Sequence, residues 1–85
     1  SGLEQKISDE ETLIVVNKEN QIFHNNNYLE LVNIGQIVTN EQHKFILDVD
    51  KSAKIFTLNE IFTELKKNNI KKIFLKVSDQ KKTND

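Results

Sequence analysis

Residues 48–77 read DVDKSAKIFTLNEIFTELKKNNIKKIFLKV. Two carboxylates and a lysine open the stretch, and a strongly periodic run follows. Leu58, Ile61, Phe62 and Leu65 fall at i, i+3, i+4 and i+7, the apolar stripe of a helix. Thr57-Leu58-Asn59-Glu60 matches the S/T-x-x-E capping box, with Phe56 placed to staple onto Ile61. Lys66 and Lys67 sit in the last turn, where the helix dipole favours cations. Asn68-Asn69 supplies a residue able to take the left-handed conformation that ends a helix. Residues 72–77 then alternate, with Ile73, Leu75 and Val77 on one face of a strand.

Upstream, residues 44–49 also alternate: Phe45, Leu47 and Val49 point one way, Lys44, Ile46 and Asp48 the other. Strand, helix and strand over 45–77 therefore predict a parallel crossover, right-handed by the usual rule. Residues 12–16, TLIVV, form a β-branched strand candidate. Lys18-Glu19-Asn20 makes a turn, with Asn20 suited to the left-handed region, and residues 21–24 return as the second strand of a hairpin. Asn25-Asn26-Asn27 is the next break. Over residues 28–40, Leu31, Ile34 and Val38 make a helical stripe, interrupted by Gly35 at a cost of about 1 kcal/mol relative to alanine.

The expectation is an α+β domain in ββαβαβ order: a small mixed sheet with two helices packed on one face. A polar, flexible leader covers 1–11, the folded unit 12–77, and a polar tail 78–85. The uncovered face carries Ile46 and Phe74, joined by Ile14 or Val16. Such an apolar face reads either as scattered surface hydrophobes or as a subunit contact.

Composition narrows the function. The chain has 85 residues, 36% hydrophobic and 29% charged, which suits one small domain. Its net charge of −1 and lack of an aromatic-lined basic patch argue against nucleic acid. With no cysteine, disulfides and thiolate metal sites are excluded. No apolar run reaches the ~18 residues of a membrane span.

The candidates for chemistry are weak. Asp48, Asp50 and Ser52 have calcium-loop spacing, but Ala53 stands where the loop needs glycine, and Glu60 arrives one residue late. His24 and His43 have no ligand partners at metal spacing and read as turn or surface histidines. No serine lies in a nucleophile elbow, no glycine-rich phosphate loop exists, and Tyr28 reads as core edge. These residues predict no enzyme, no cofactor and no metal: a module that binds a partner, or itself.

A more specific pattern begins at Asp50. Residues 50–58, DKSAKIFTL, a helix, and residues 65–75, LKKNNIKKIFL, resemble the C-terminal half of the ExbD/TolR family. That family shows an Asp-Lys, a short loop, an aromatic, an amphipathic helix and a strand. Residues 18–23, KENQIF, are similar to its first turn and second strand. The resemblance covers about 12–77. Two family glycines are replaced, by Asn20 and Asn69, and the aromatic before the helix aligns with Ile55, next to Phe56.

The resemblance implies a periplasmic domain on the inner membrane, anchored by one N-terminal helix outside these residues. Through that helix it would partner an ExbB- or TolQ-like subunit and help couple the proton-motive force to a TonB- or TolA-like protein. It implies a homodimer, and for TolR-like members peptidoglycan binding; the Asp-Lys version favours ExbD. A stand-alone α/β adaptor that binds a peptide is the alternative. Partner-contact candidates are Asp50, Lys51, Ile46 and Phe74. For Asp50-Lys51 the competing reading is a loop that launches the helix, with Asp48 exposed on the strand.

Overall fold

The computed structural model describes residues 11–80. Five strands and two helical segments follow in order: β1 (Glu11–Val16), β2 (Ile22–His24), β3 (Asn27–Tyr28), a 3-10 segment (Leu31–Ile37), β4 (Lys44–Asp50), α1 (Ile55–Lys67) and β5 (Lys72–Ser78). The strands form one mixed sheet ordered β3-β2-β1-β4-β5. β1, β4 and β5 are mutually parallel, and β1-β2-β3 is an antiparallel meander. The α+β class and the two helical segments are as expected.

Register sets the faces. Ile14 lies beside Leu47 and Val16 beside Val49. In turn Phe45, Leu47 and Val49 lie beside Ile73, Leu75 and Val77. Ile14, Val16, Phe45, Leu47 and Val49 are buried with Ile22, Ile34, Ile61, Leu65 and Ile70 in one core. Both helical segments contribute to it, so they cover one face. Ile14 and Val16 therefore belong to the core, and Leu13 and Val15 take the open face that the sequence offered to Ile14 or Val16. TLIVV has no polar alternate, so it does not declare its inward side.

The hairpin turn is organised by asparagines. Asn17 Oδ1 accepts hydrogen bonds from Glu19 N–H (3.0 Å) and Gln21 N–H (2.9 Å). Asn20 takes φ 67°, as anticipated. Asn25 and Asn26 also have positive φ, 53° and 66°, and close a two-residue turn that returns the chain as β3. The third asparagine of that run thus begins a strand.

The first helical segment is 3-10. Leu31, Ile34 and Ile37 recur every third residue, the 3-10 period, and Ile34 is fully buried. Gly35 faces the end of α1: a Cβ there would meet Asn68 Nδ2 at 3.0 Å. Close approach, not backbone freedom, explains this glycine.

α1 begins earlier than the capping box implied. Lys54 is the N-cap and makes no side-chain cap bond. Thr57 lies inside the first turn, buried, and Phe56 beside it is exposed and does not staple. At the other end the expectation holds. Asn69 has φ 63°, Asn69 N–H donates to Lys66 O (2.9 Å), and Ile70 N–H donates to Leu65 O (3.1 Å). That is a Schellman ending, and Ile70 is buried beneath it.

Two boundaries shift. Glu11 belongs to β1, and Ser78 ends β5. The remaining leader, 1–10, and tail, 81–85, lie outside the described residues.

Candidate functional site

Asp50 ends β4 at the corner that leads to α1. Its carboxylate is buried, at 4% residue exposure. Oδ1 accepts from Ser52 N–H (2.8 Å) and Oδ2 from Gln80 N–H (3.3 Å), while the backbone carbonyl accepts from Ala53 N–H (2.9 Å). An Asx turn of this kind fixes the exit of the strand. Gln80 locks the corner from the other side, donating from Nε2 to Val16 O (3.1 Å) and Asp48 O (3.3 Å). Lys51 projects into solvent and pairs with Asp79 at 3.3 Å. Exposed pairs of this kind contribute about 0–1 kcal/mol. Asp48 is half-buried, not exposed, and accepts from Ser78 Oγ (2.9 Å). The corner is thus a structural lock between β4 and the segment after β5, with Lys51, Ser52 and Lys54 exposed.

Ile46 and Phe74, the other two contact candidates, are brought together. They are register partners on the face that no helix covers. Leu13 lies on the far side of Ile46 in the same row. A second row runs Tyr28, Phe23, Val15, Asp48, Lys76. Tyr28 and Phe23 meet edge to face, with ring centroids 6.1 Å apart. Tyr28 is therefore an exposed residue of this face rather than an edge of the core. Lys44 Nζ pairs with Glu11 (3.3 Å) and stands 5.3 Å from the Phe74 ring centroid, a cation–π distance.

Sequence reasoning missed Leu75 and Val77. Both lie on the core side of the sheet, yet they are 51% and 60% exposed. β5 is an edge strand, and only Ile73 of its three core-side residues packs against the core. With Phe74 at 53% on the other side, β5 carries exposed apolar residues on both faces. The signal was position: the last strand of a crossover unit, with no strand among the described residues beside its outer edge.

His43 is buried, at 3% exposure, rather than in a surface turn. Nδ1 accepts from Thr39 N–H (3.3 Å) and lies 3.0 Å from Thr39 Oγ1. That assigns the ring proton to Nε2, which donates to Thr12 Oγ1. The ring packs on Phe45, with centroids 4.7 Å apart. His24 lies in β2, half-buried. Among the described residues no group of three His, Cys, Asp or Glu is placed to hold a metal, and no helix is long and apolar enough to cross a membrane.

No protein-family model matches the chain, and a search of curated proteins finds no match.

Proposed function

We propose that this chain is a non-catalytic docking domain of the ExbD/TolR kind, on the periplasmic side of an inner membrane. In this reading it acts as a homodimeric accessory to a proton-driven ExbB- or TolQ-like complex that energises a TonB- or TolA-like protein. The carrying observation is backbone conformation. The two positions where the family pattern has glycine are Asn20 and Asn69, and both have positive φ, 67° and 63°. The substitutions keep the geometry those glycines serve, since asparagine is the side chain that best tolerates this region. The Asp50-Lys51 corner supports the reading too: it launches α1 from β4 as the pattern requires.

The test is the coding sequence upstream of Ser1. The reading expects one apolar helix of about 20 residues carrying a single aspartate, because an ionisable residue in such a span is functional by default. Absence of that helix overturns the reading. A second test separates ExbD-like from TolR-like: co-sedimentation with purified peptidoglycan is expected only of the latter.

The free edge of β5 favours a second reading, a stand-alone adaptor that adds a peptide strand to its sheet. Co-purification of the full-length protein with an ExbB- or TolQ-like subunit argues against it.

A further inference from the structure

We infer that the face of the sheet that no helix covers docks on an anionic phospholipid surface. Leu13, Tyr28 and Phe74 enter the headgroup layer, and Lys44, Lys72 and Lys76 meet its phosphates. The inference rests on the membrane-anchored reading above and gives the domain an orientation on that membrane.

Rows of register partners cross this face. Glu11, Lys44 and Lys72 make one, and Leu13, Ile46 and Phe74 the next. Tyr28, Phe23, Val15, Asp48 and Lys76 make the third. The apolar side chains therefore lie together, and on β5 a lysine stands on either side of Phe74. Leu13 is 49%, Phe74 53% and Tyr28 58% exposed. Aromatic rings flanked by lysines suit a boundary between water and lipid. The rings bury their apolar bodies, and each lysine lays its stem along them while its ammonium stays in the polar layer.

Charge selects an anionic surface. Both carboxylates in these rows are engaged: Glu11 pairs with Lys44 at 3.3 Å, and Asp48 accepts from Ser78 Oγ at 2.9 Å with Lys76 beside it. Lys72 has no carboxylate within ion-pair reach among the described residues. Lys66 and Lys71, exposed at the end of α1 and in the turn to β5, add cations at the same end of the sheet. The acidic run Asp9-Glu10-Glu11 enters at β1, so the attraction is carried by the β4–β5 half of the face. Glu11, the first residue of β1, shares its row with Lys44 and Lys72, so the chain upstream leaves from beside these lysines. A membrane anchor on that side would hold them near the lipid. A tethered domain needs little intrinsic affinity, because its effective concentration at the surface is on the order of millimolar.

The chain has no tryptophan, so a single introduced one reports contact with lipid. The full chain is attached by its N-terminus to vesicles of phosphatidylcholine and phosphatidylglycerol. Phe74→Trp and Tyr28→Trp are expected to shift their emission to the blue and to be quenched by brominated acyl chains. Leu75→Trp, on the other side of β5, is not. The shift should vanish on pure phosphatidylcholine and in high salt. Lys72→Gln and Lys76→Gln should each weaken partition of the unattached chain onto the anionic vesicles by roughly fivefold. Quenching of Leu75→Trp equal to that of Phe74→Trp, or an equal shift on pure phosphatidylcholine, overturns the inference. So does a Phe74→Trp shift that grows with protein concentration in the absence of vesicles, which assigns the face to a second copy. Unshifted emission of Phe74→Trp on attached anionic vesicles overturns the docking alone. The anchored reading is decided separately, by the presence or absence of the upstream helix.

Discussion

Asn20 reaches across the domain to Thr57: its Oδ1 accepts from Thr57 Oγ1 (3.1 Å) and from the Lys54 backbone N–H (2.7 Å). A residue of the β1–β2 turn therefore caps a helix 34 positions later. The same side chain satisfies a turn that needs positive φ and a helix start with no cap of its own. Asn20→Ala loses both roles and is expected to destabilise by about 2 kcal/mol. Asn20→Gly restores the backbone freedom only and should cost roughly half as much. Urea unfolding distinguishes them; equal losses would mean that the cap contributes nothing.

Charge reversal at Asp50 and at Lys51 is expected to give opposite outcomes. Asp50→Lys buries a cation beside two backbone N–H donors and should cost more than about 3 kcal/mol, enough to threaten a small domain. Asp50→Ala, which leaves those donors unmatched, should cost about 1–3 kcal/mol. Lys51→Glu should change stability by less than about 0.5 kcal/mol. Lys51 is thus the clean probe of partner contact at this corner. Loss of an energised function in folded Lys51→Glu would show that the loop touches a partner.

Gly35→Ala should push aside the Asn68 side chain, whose Nδ2 donates to Glu64 O (2.9 Å). The expected cost is about 1–3 kcal/mol. Adding Asn68→Ala removes the obstacle, so the double variant should be no less stable than Asn68→Ala alone. Simple additivity of the two losses would contradict the close approach.

His43 is held in one tautomer by its two threonines. Long-range proton–nitrogen spectra of the neutral ring should show the Nε2–H form. His43→Leu leaves Thr12 and Thr39 without the ring and should cost about 1–3 kcal/mol in chemical unfolding. An Nδ1–H form would require Thr39 N–H to point at another donor, against the observed geometry.

Much of this fold was legible because it rests on period. Phe45, Leu47 and Val49 alternate with more polar neighbours, and Leu58, Ile61, Phe62 and Leu65 form a stripe, so β4 and α1 declared themselves. Asn20 and Asn69 were legible because few side chains accept positive φ. What was hidden depended on distant partners. Thr57 reads locally as a cap, but Asn20 supplies that acceptor from another turn and lets α1 begin at Ile55. His43 reads as a surface residue because nothing near it in sequence announces the Thr12 hydroxyl, 31 positions away. Leu31, Ile34 and Ile37 were spaced for a 3-10 segment, but Val38 also fits an α-helical stripe. Of the candidate site, the pairing of Ile46 with Phe74 on the open face followed from alternation. The exposure of Leu75 and Val77 did not, since a strand's alternation says which way a side chain points and not whether anything lies above it.

The shared direction of β1, β4 and β5 has a mechanical consequence. The described chain enters this trio at Glu11 and leaves it at Ser78, at opposite ends of the sheet. Tension between those two points would load the β1–β4 and β4–β5 ladders in shear. Their hydrogen bonds would then have to fail together rather than unzip one by one. Resistance to such a pull is governed by the unfolding rate, not by the equilibrium stability. A domain of modest thermodynamic stability can therefore still hold fast under a directional load.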